Sequence, residues 1–512
     1  MRLCIVGIGG CGGHLAEHFL KNEDVTVLKK SLGRHVSFGS VKGLWLEADV
    51  QETNNQDFFG SIERGKYPGY FIPHDVIKSD SKASRAVQDI YGYDIKKQGF
   101  MRQAEFLKAV FEIFDTDEVV KSAALSECES TNPILRRAWD HIRPCTTLAG
   151  AENNNKASEL CDGILFLISL GGGTGTGFVN PITGYIRGER SAYPAFVLAV
   201  LTEEGVDPQQ RAKEAKRDMG AMISLYDLIT KKSGIGVDGV ILVDNQIMIE
   251  KFGQDYPAID QYIYQAMKPF VAGHHYPGED PPSLAMREKF LEGLPSPPIL
   301  VPCYYRMKRR NDPEDELVKR ALSEEGQLFR CDPKMAERAY VFTRGFMEFD
   351  EIVNAVAKYT GLPKDRIEPW RKLGENKWDE VLILLRNPYG GKDKAYEDKL
   401  TLEYRLHRTL RMALKYMDDP ESKLIPEGMP DKTRDALDDY FYGKTGIRNE
   451  FKQSLTRIEK GEKPFFLHER NIFEDKSEQG FGNNTNHETL PDDDKIRKIV
   501  MEEMAKILGE RA

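Results

Sequence analysis

Five glycines and two threonines stand together in GGGTGTG, residues 171–177, directly after the apolar run at 163–170. A second cluster, GIGGCGGH at residues 7–14, follows the apolar run at 3–8. Glycine allows positive φ and lets a ligand approach the backbone without a Cβ in the way. Consecutive amides in such a loop can bind an anion, and a helix that begins there adds the positive end of its dipole. Each strand–glycine–helix pattern therefore predicts a phosphate site.

The elements that would position these loops alternate along the first half of the chain. Apolar runs at 195–201 and 238–248 indicate further buried strands, and 208–232 indicates a long helix with proline in its first turn. Continuous apolar strands that alternate with helices predict a parallel α/β sheet covered on both faces. Such a sheet brings both glycine loops to its carboxyl edge, where open α/β sheets bind ligands. One loop of this kind could be a tight turn that binds no ligand, but two such loops are harder to explain in that way.

A different organisation is expected in the second half. Residues 256–273 predict one central helix, and 274–473 predict a second, α+β unit. Its strands are expected at 296–310, 338–345 and 379–386, and its helices at 349–361 and 402–417. Residues 474–490 are polar and indicate a flexible linker, and 491–512 predict an amphipathic tail helix. The apolar stripe of that helix suits either a partner protein or its own domain.

Composition narrows the class of protein. The 512 residues are 40% hydrophobic and 30% charged, which indicates folded domains, and the net charge of −9 argues against a nucleic-acid binder. Seven cysteines without a CxxC pair argue against a disulfide framework or a structural zinc site. No apolar run approaches the roughly 18 residues of a membrane span. We therefore expect a soluble, cytoplasmic protein with reduced thiols and no bound metal cluster.

The first glycine loop has the G-x-G-x-x-G spacing of dinucleotide-binding proteins. That interpretation requires an acidic residue at the end of the second strand, where this chain has Lys29 and Lys30. An NAD-dependent oxidoreductase would also need a catalytic constellation in the second half. His274 and His275 are adjacent but have no metal-ligand or triad spacing around them. This alternative also leaves the second glycine loop unexplained.

GGGTGTG between a strand and a helix resembles the signature loop of the tubulin/FtsZ superfamily, and GIGGCGGH is similar to that family's first phosphate loop. The order of elements is also similar over about residues 1–415. The resemblance implies an α/β fold: a Rossmann-like, parallel-sheet GTP-binding domain at 1–255, the central helix, and the second α+β domain. It implies GTP or GDP as the ligand, with Mg²⁺.

Individual residues can be carried over where motifs match. The resemblance implies phosphate contacts for Gly9, Gly10, Cys11, Gly12, Gly171, Gly172, Gly173, Thr174, Gly175, Thr176 and Gly177. Asp49, in EADVQE, would lie near the phosphates or the magnesium ion. In TEEGVD the ribose contact would be Glu203 or Glu204, of which Glu204 is the predicted residue, and Asn245 in VDNQIM would contact guanine.

Tyr256 and Asp260 lie four residues apart at the start of the central helix and therefore share one face. The family uses this spacing for a ring that stacks on the base and a polar side chain that binds guanine. One carboxylate supplies acceptors for the adjacent N1–H and N2–H₂ donors of guanine, a pair that adenine lacks. Taken alone, the two residues also fit an ordinary helix start.

The catalytic loop departs from the family pattern. The family hydrolyses GTP with acidic residues that reach the next subunit, and Glu279 and Asp280 are the acids near that place here. Ser283 stands where a second acid is expected, and the two acids could instead cap a helix that begins at Pro281.

The resemblance implies a GTPase that assembles head-to-tail into cytoskeletal filaments, its own copies being the main partner. The departure in the catalytic loop leaves a non-polymerising GTP-binding regulator as the alternative.

Overall fold

The computed structural model describes residues 3–22, 43–46, 70–71, 163–171, 194–204, 208–230, 237–271, 282–292, 297–308, 314–344, 348–372, 378–389, 401–420 and 446–461, with several positions between 175 and 186, position 294 and several positions between 435 and 444. The predicted linker at 474–490 and tail helix at 491–512 lie outside these residues. The predicted domain limits at 255 and 273 stay a prediction.

One half of the sheet is parallel. Its strands are β1 Leu3–Ile8, β2 Gly43–Leu46, β3 Tyr70–Phe71, β4 Gly163–Ser169, β5 Ala195–Leu201, β6 Gly239–Asp244 and β7 Ile299–Lys308. They lie in the order β3-β2-β1-β4-β5-β6-β7, and each pairs in parallel with its neighbour. The helices along this part are α1 Gly9–Asn22, α2 Pro208–Thr230, α3 Asn245–Phe252, α4 Tyr256–Val271 and α5 Pro282–Leu291.

The other half of the sheet is mixed. Strand β10 (Trp378–Arg386) pairs antiparallel with β7 and with β8 (Arg338–Arg344), and β8 pairs in parallel with β9 (Ile367–Lys372). The described strands thus form one ten-stranded sheet. Helices α6 Glu314–Leu322, α7 Phe349–Thr360, α8 Leu402–Asp418 and α9 Ile447–Glu459, with 3₁₀ turns at Pro333–Met335 and Lys364–Arg366, complete this half.

The central strands are covered on both faces, as their continuous apolar sequences predict. Val6, Phe166 and Val197 point to the face that α2 covers, and they share one core cluster with Leu225. The alternate positions on the same strands point to the face that α1 and α4 cover, where they share a cluster with Phe19, Ile263 and Phe270. The two-faced parallel sheet confirms the predicted α/β fold class.

The predicted strand at 238–248 is wrong in its second half. Strand β6 ends at Asp244, and α3 begins at Asn245. The Asp244 carboxylate accepts a hydrogen bond from the Gln246 N–H at 3.0 Å, which caps the helix in the way that an aspartate at this position favours. This early helix start turns Asn245 to the edge of the sheet at the end of β6.

Within the described ranges, none of the helices combines the length and the apolar character that crossing a lipid bilayer requires.

Candidate functional site

The two glycine loops lie side by side at the carboxyl edge of the sheet. Strands β1 and β4 are adjacent and in register over their whole length, so both loops leave from the same edge. A Cβ on Gly175 would lie 2.9 Å from the carbonyl oxygen of Ser169 and 3.4 Å from that of Ile8. The second loop is therefore packed against the ends of both strands.

The first loop is held equally closely. Gly9 has a φ of 75°, which a side chain would strain, and it begins α1 immediately after β1 ends. A Cβ on Gly12 would overlap the carbonyl oxygen of Leu167 in β4. Several of these glycines are thus required for close packing of the helix starts on the strands, in addition to any contact with a ligand.

The glycine loops bring helix N-termini to one place. Helix α1 has no acidic side chain in its first turn, and residues 175 and 176 are already helical just beyond β4. First-turn amides have no intrahelical acceptor, and the dipole adds positive potential there. Two adjacent helix starts suit a chain of phosphates.

A third loop, residues 202–204, joins this edge at the end of β5. A Cβ on Gly171 would overlap the Thr202 side chain and would lie 2.9 Å from Cδ of Arg217 in α2. The Arg217 guanidinium reaches past that contact and donates to the carbonyl oxygen of Glu203 at 2.5 Å. The second glycine loop and the 202–204 loop are therefore in direct contact.

The adjacent acids Glu203 and Glu204 have different surroundings. Asn245 donates from Nδ2 to the Glu203 carboxylate at 2.8 Å. The Glu204 carboxylate is paired with two arginines of α8, Arg405 at 2.8 Å and Arg408 at 3.4 Å. Glu204, the residue chosen from the sequence for the ribose contact, is thus committed to α8, whereas Glu203 lies with Asn245.

The start of α4 forms the far side of the site. The Tyr256 ring is 47% exposed, and Asp260 follows one turn later and is half-buried. Burial, and after it the charge of Glu17 on α1, raises the pKa of Asp260 to about 7. His18 Nδ1 on α1 lies 3.0 Å from Gln261 Oε1 on α4, so a hydrogen bond joins the two helices.

Electrostatic effects link these side chains across elements. Burial raises the pKa of the Cys11 thiol, and the charges of Asp260 and Glu203 raise it further. Burial also raises the pKa of Tyr256, again with a contribution from Glu203. Cys11 on α1 is thus close enough to Asp260 on α4 and to Glu203 in the 202–204 loop to feel their charges, and Tyr256 on α4 feels that of Glu203.

Most of the predicted residues that the structure describes meet at this edge. They are Gly9, Gly10, Cys11, Gly12, Gly171, Gly175, Thr176, Asn245, Tyr256 and Asp260. Gly172, Gly173, Thr174, Gly177, Asp49, Glu279 and Asp280 lie outside the described residues. Sequence reasoning missed Arg217 and Arg405, because neither belongs to a motif and each reaches the site only through the fold.

The described residues fit a guanine nucleotide by their chemistry. They offer helix-start amides for phosphates, a carboxylate for paired N–H donors and an exposed ring for a base. In the part of the chain that the structure describes, no group of three or more His, Cys, Asp and Glu side chains is arranged to hold a metal ion. The expected Mg²⁺ contact, Asp49, lies outside that part.

No family model matches the chain, and no curated protein matches it in sequence. Solved structures do resemble it. CetZ from Methanosaeta thermophila has a TM-score of 0.51 at 15% identity, covering 86% of this chain and 98% of that one. The GDP-bound monomer of CetZ1 from Haloferax volcanii has a TM-score of 0.52 at 13% identity, covering 82% of this chain and 100% of that one. At this identity the likeness concerns the fold alone: the chain has the fold of the tubulin/FtsZ superfamily.

Proposed function

We propose that the carboxyl-edge site binds GTP and GDP. The observation that carries the proposal is that Tyr256, Asp260 and the Glu203–Asn245 pair lie beside two adjacent glycine loops at one sheet edge. The GDP-bound state of CetZ1, whose fold this chain resembles, is consistent with that assignment.

The base would be bound at α4. The Tyr256 ring is exposed and free to stack, and the Asp260 carboxylate accepts from N1–H and N2–H₂ of guanine. The Asn245 amide already donates to Glu203, so its oxygen is left to accept from the base. Adenine would leave the half-buried Asp260 carboxylate without these donors, which disfavours ATP.

The ribose and phosphates would be bound by the loops. We assign the ribose contact to Glu203 rather than Glu204, because the Glu204 carboxylate is occupied by Arg405 and Arg408. Amides of Gly10, Cys11 and Gly12 at the start of α1, and of the second glycine loop, would donate to phosphate oxygens. Mg²⁺, held by the phosphates with Asp49 near it, would offset their charge.

Assembly and hydrolysis extend this proposal. A nucleotide at the exposed edge of one subunit would be covered by the next, which gives a head-to-tail cytoskeletal filament in the cytoplasm. Glu279 and Asp280 of the covering subunit would then orient and polarise the attacking water. The tail helix at 491–512 would be free to bind a partner protein.

The alternative function is a GTP-binding regulator that does not polymerise. Ser283 and the prolines at 281 and 282 favour it, since they depart from the catalytic loop of the family that the chain resembles. In that case the nucleotide site would be intact and the catalytic loop inactive.

The test combines binding, assembly and turnover in one preparation. We expect calorimetry to show GDP binding at least about tenfold tighter than ADP. Light scattering and pelleting with GTP, GDP, ATP or no nucleotide, with phosphate release measured in parallel, then separate the two functions. GTP-specific assembly with phosphate release supports the filament-forming GTPase, and a Glu279→Gln variant should slow the release without weakening binding. GDP binding without assembly supports the regulator, and equal binding of GDP and ADP contradicts both.

A further inference from the structure

Arg405 is the largest side chain among the fully buried residues that the structure describes. It lies on α8, about two hundred positions after the loop that it contacts, and its side chain is 2% exposed. Its Nε donates to Asp244 Oδ2 at 2.8 Å, and Nη2 donates to Asp244 Oδ1 at 3.0 Å. Nη1 donates to Glu204 Oε1 at 2.8 Å, and Nη2 also donates to the Thr202 carbonyl oxygen at 2.6 Å.

The charges in this cluster are compensated. Burial alone would lower the pKa of Arg405, but the carboxylates of Asp244 and Glu204 reverse the effect and raise it. Burial raises the pKa of Asp244, and the Arg405 guanidinium opposes that rise. A buried ion pair of this kind adds little net stability compared with apolar packing, because desolvation offsets most of the attraction. Instead, the planar guanidinium, with its several N–H donors, holds its partners in a fixed geometry.

The groups that Arg405 holds stand next to the groups that would contact the nucleotide. Thr202 and Glu204 flank Glu203 in the 202–204 loop, and Asp244 directly precedes Asn245. The Glu204 N–H donates to Gln246 Oε1 at 3.2 Å, so the loop and the start of α3 are also tied to each other. The single side chain of Arg405 on α8 therefore holds the ends of two adjacent strands, β5 and β6.

We propose that Arg405 is a positioning residue of the nucleotide site. It holds the backbone on both sides of Glu203 and the residue before Asn245, so that these two side chains face the ribose and the base. It also makes the site depend on the docking of α8, an element of the second half of the chain. This inference rests on the proposed nucleotide site and adds to it a residue that never touches the ligand.

The test uses ligands that report on each positioned side chain. GDP is compared with 2′,3′-dideoxy-GDP, which lacks the ribose hydroxyls, and with IDP, which lacks the 2-amino group. We expect the wild-type protein to bind GDP about tenfold tighter than either analogue, as the loss of a hydrogen bond to a charged or polar side chain implies. The variants are Arg405→Lys, which keeps the charge without the planar guanidinium, and Glu204→Gln, which is isosteric and removes one acceptor. Arg411→Met, on an exposed position of the same helix, is the control.

A positioning role predicts a loss of discrimination. Arg405→Lys should reduce the preference over the dideoxy analogue from about tenfold to about twofold, and the preference over IDP only partway, because Asp260 on α4 still accepts from the 2-amino group. Glu204→Gln should have smaller effects of the same kind, while Arg411→Met leaves both preferences unchanged. A purely structural role would lower the melting temperature and weaken all three ligands by the same factor, and that result overturns the proposal. Glu204→Gln decides the question if Arg405→Lys does not fold.

The outcomes separate the two proposals. A wild-type protein that does not bind GDP contradicts the nucleotide site itself. Wild-type protein that binds GDP but discriminates against neither analogue contradicts the role of Arg405, since no side chain would then need positioning.

Discussion

The two halves of the sheet use charged residues in different ways. In the parallel half, neighbouring strands end at one edge, and Glu203, Asn245 and Asp260 gather there around an exposed tyrosine ring. In the mixed half, charged side chains at strand ends are paired with one another. Arg344 pairs with Glu380 at 3.3 Å, and Arg338 pairs with Glu368 at 3.8 Å.

Strand direction explains the difference. Parallel strands bring successive loops and helix N-termini to the same edge, so their amides and polar side chains converge on one point. Antiparallel strands such as β7, β10 and β8 send alternate ends to opposite edges. Charges in that half meet a partner within the sheet. At the parallel edge Asp244 and Glu204 are paired with Arg405, and it is Glu203 and Asp260 that lie at the proposed nucleotide site.

We expect the largest effect from a substitution at Gly12, in the parallel half. An added methyl would overlap the Leu167 carbonyl oxygen, a backbone atom that cannot rotate away, so the first turn of α1 must move off β4. We expect Gly12→Ala to lower the free energy of unfolding by about 3 kcal/mol and to abolish GDP binding. Urea unfolding and calorimetry measure the two effects.

Gly184→Ala is the matched control for Gly12. Gly184 is also helical and beyond a glycine loop, but a Cβ there would meet nothing within 4 Å. The substitution should leave GDP binding intact and stabilise the helix by up to about 1 kcal/mol. Equal effects of the two substitutions would show that close packing at Gly12 does not shape the site.

A second test concerns a buried charge in the mixed half. Arg386 in β10 donates to the Glu292 carbonyl oxygen at 2.7 Å and pairs with Glu337 at 3.4 Å. Glu337 is partly exposed and keeps a hydrogen bond from Asn387 Nδ2 at 3.0 Å, but the buried Glu292 carbonyl contact is lost, so Arg386→Met should lower the free energy of unfolding by about 2 kcal/mol. GDP affinity, measured well below the melting temperature, should stay the same. If Arg386→Met weakened GDP binding as much as a substitution at the parallel edge does, the two halves would not differ in the way proposed.

The exposed pair of Arg320 and Glu316 on α6 provides the control for Arg386. The two side chains are 45% and 43% exposed, and contact with water screens most of the attraction. Arg320→Met should therefore alter neither the unfolding transition nor nucleotide binding.

The parallel half was predictable from sequence because local signals and the fold agree there. Continuous apolar runs predicted β1, β4 and β5, and the glycine clusters after β1 and β4 predicted the helix starts there. The strand after α2 was extended too far, since apolar residues continue into α3 and only the Asp244 cap stops the strand. Helices α6 and α9 and edge strand β9, which carries Pro369, lacked a distinct pattern and were not predicted.

The site was predictable only where residues lie in motifs. Tyr256 and Asp260 follow from helical spacing, but the choice between Glu203 and Glu204 depends on which acid meets Arg405. That contact joins residues separated by two hundred positions, and spacing carries no information about it. The roles of Arg217 and Glu17 depend likewise on how α2 and α1 pack at the edge.

The smallest expected effect is a pH dependence at the parallel edge. Burial and Glu17 raise the pKa of Asp260 to about 7, and guanine would bind only the ionised carboxylate. Below pH 7 binding must therefore release a proton, so GDP affinity should fall as the pH falls, by about tenfold between pH 8 and pH 6. Glu17→Gln should move the midpoint to lower pH, because it removes one cause of the raised pKa.

Asp260→Ala should bind GDP about a hundredfold more weakly and lose this pH dependence. An unchanged slope in Asp260→Ala would assign the titration to the nucleotide phosphates and would contradict the proposed role of this carboxylate.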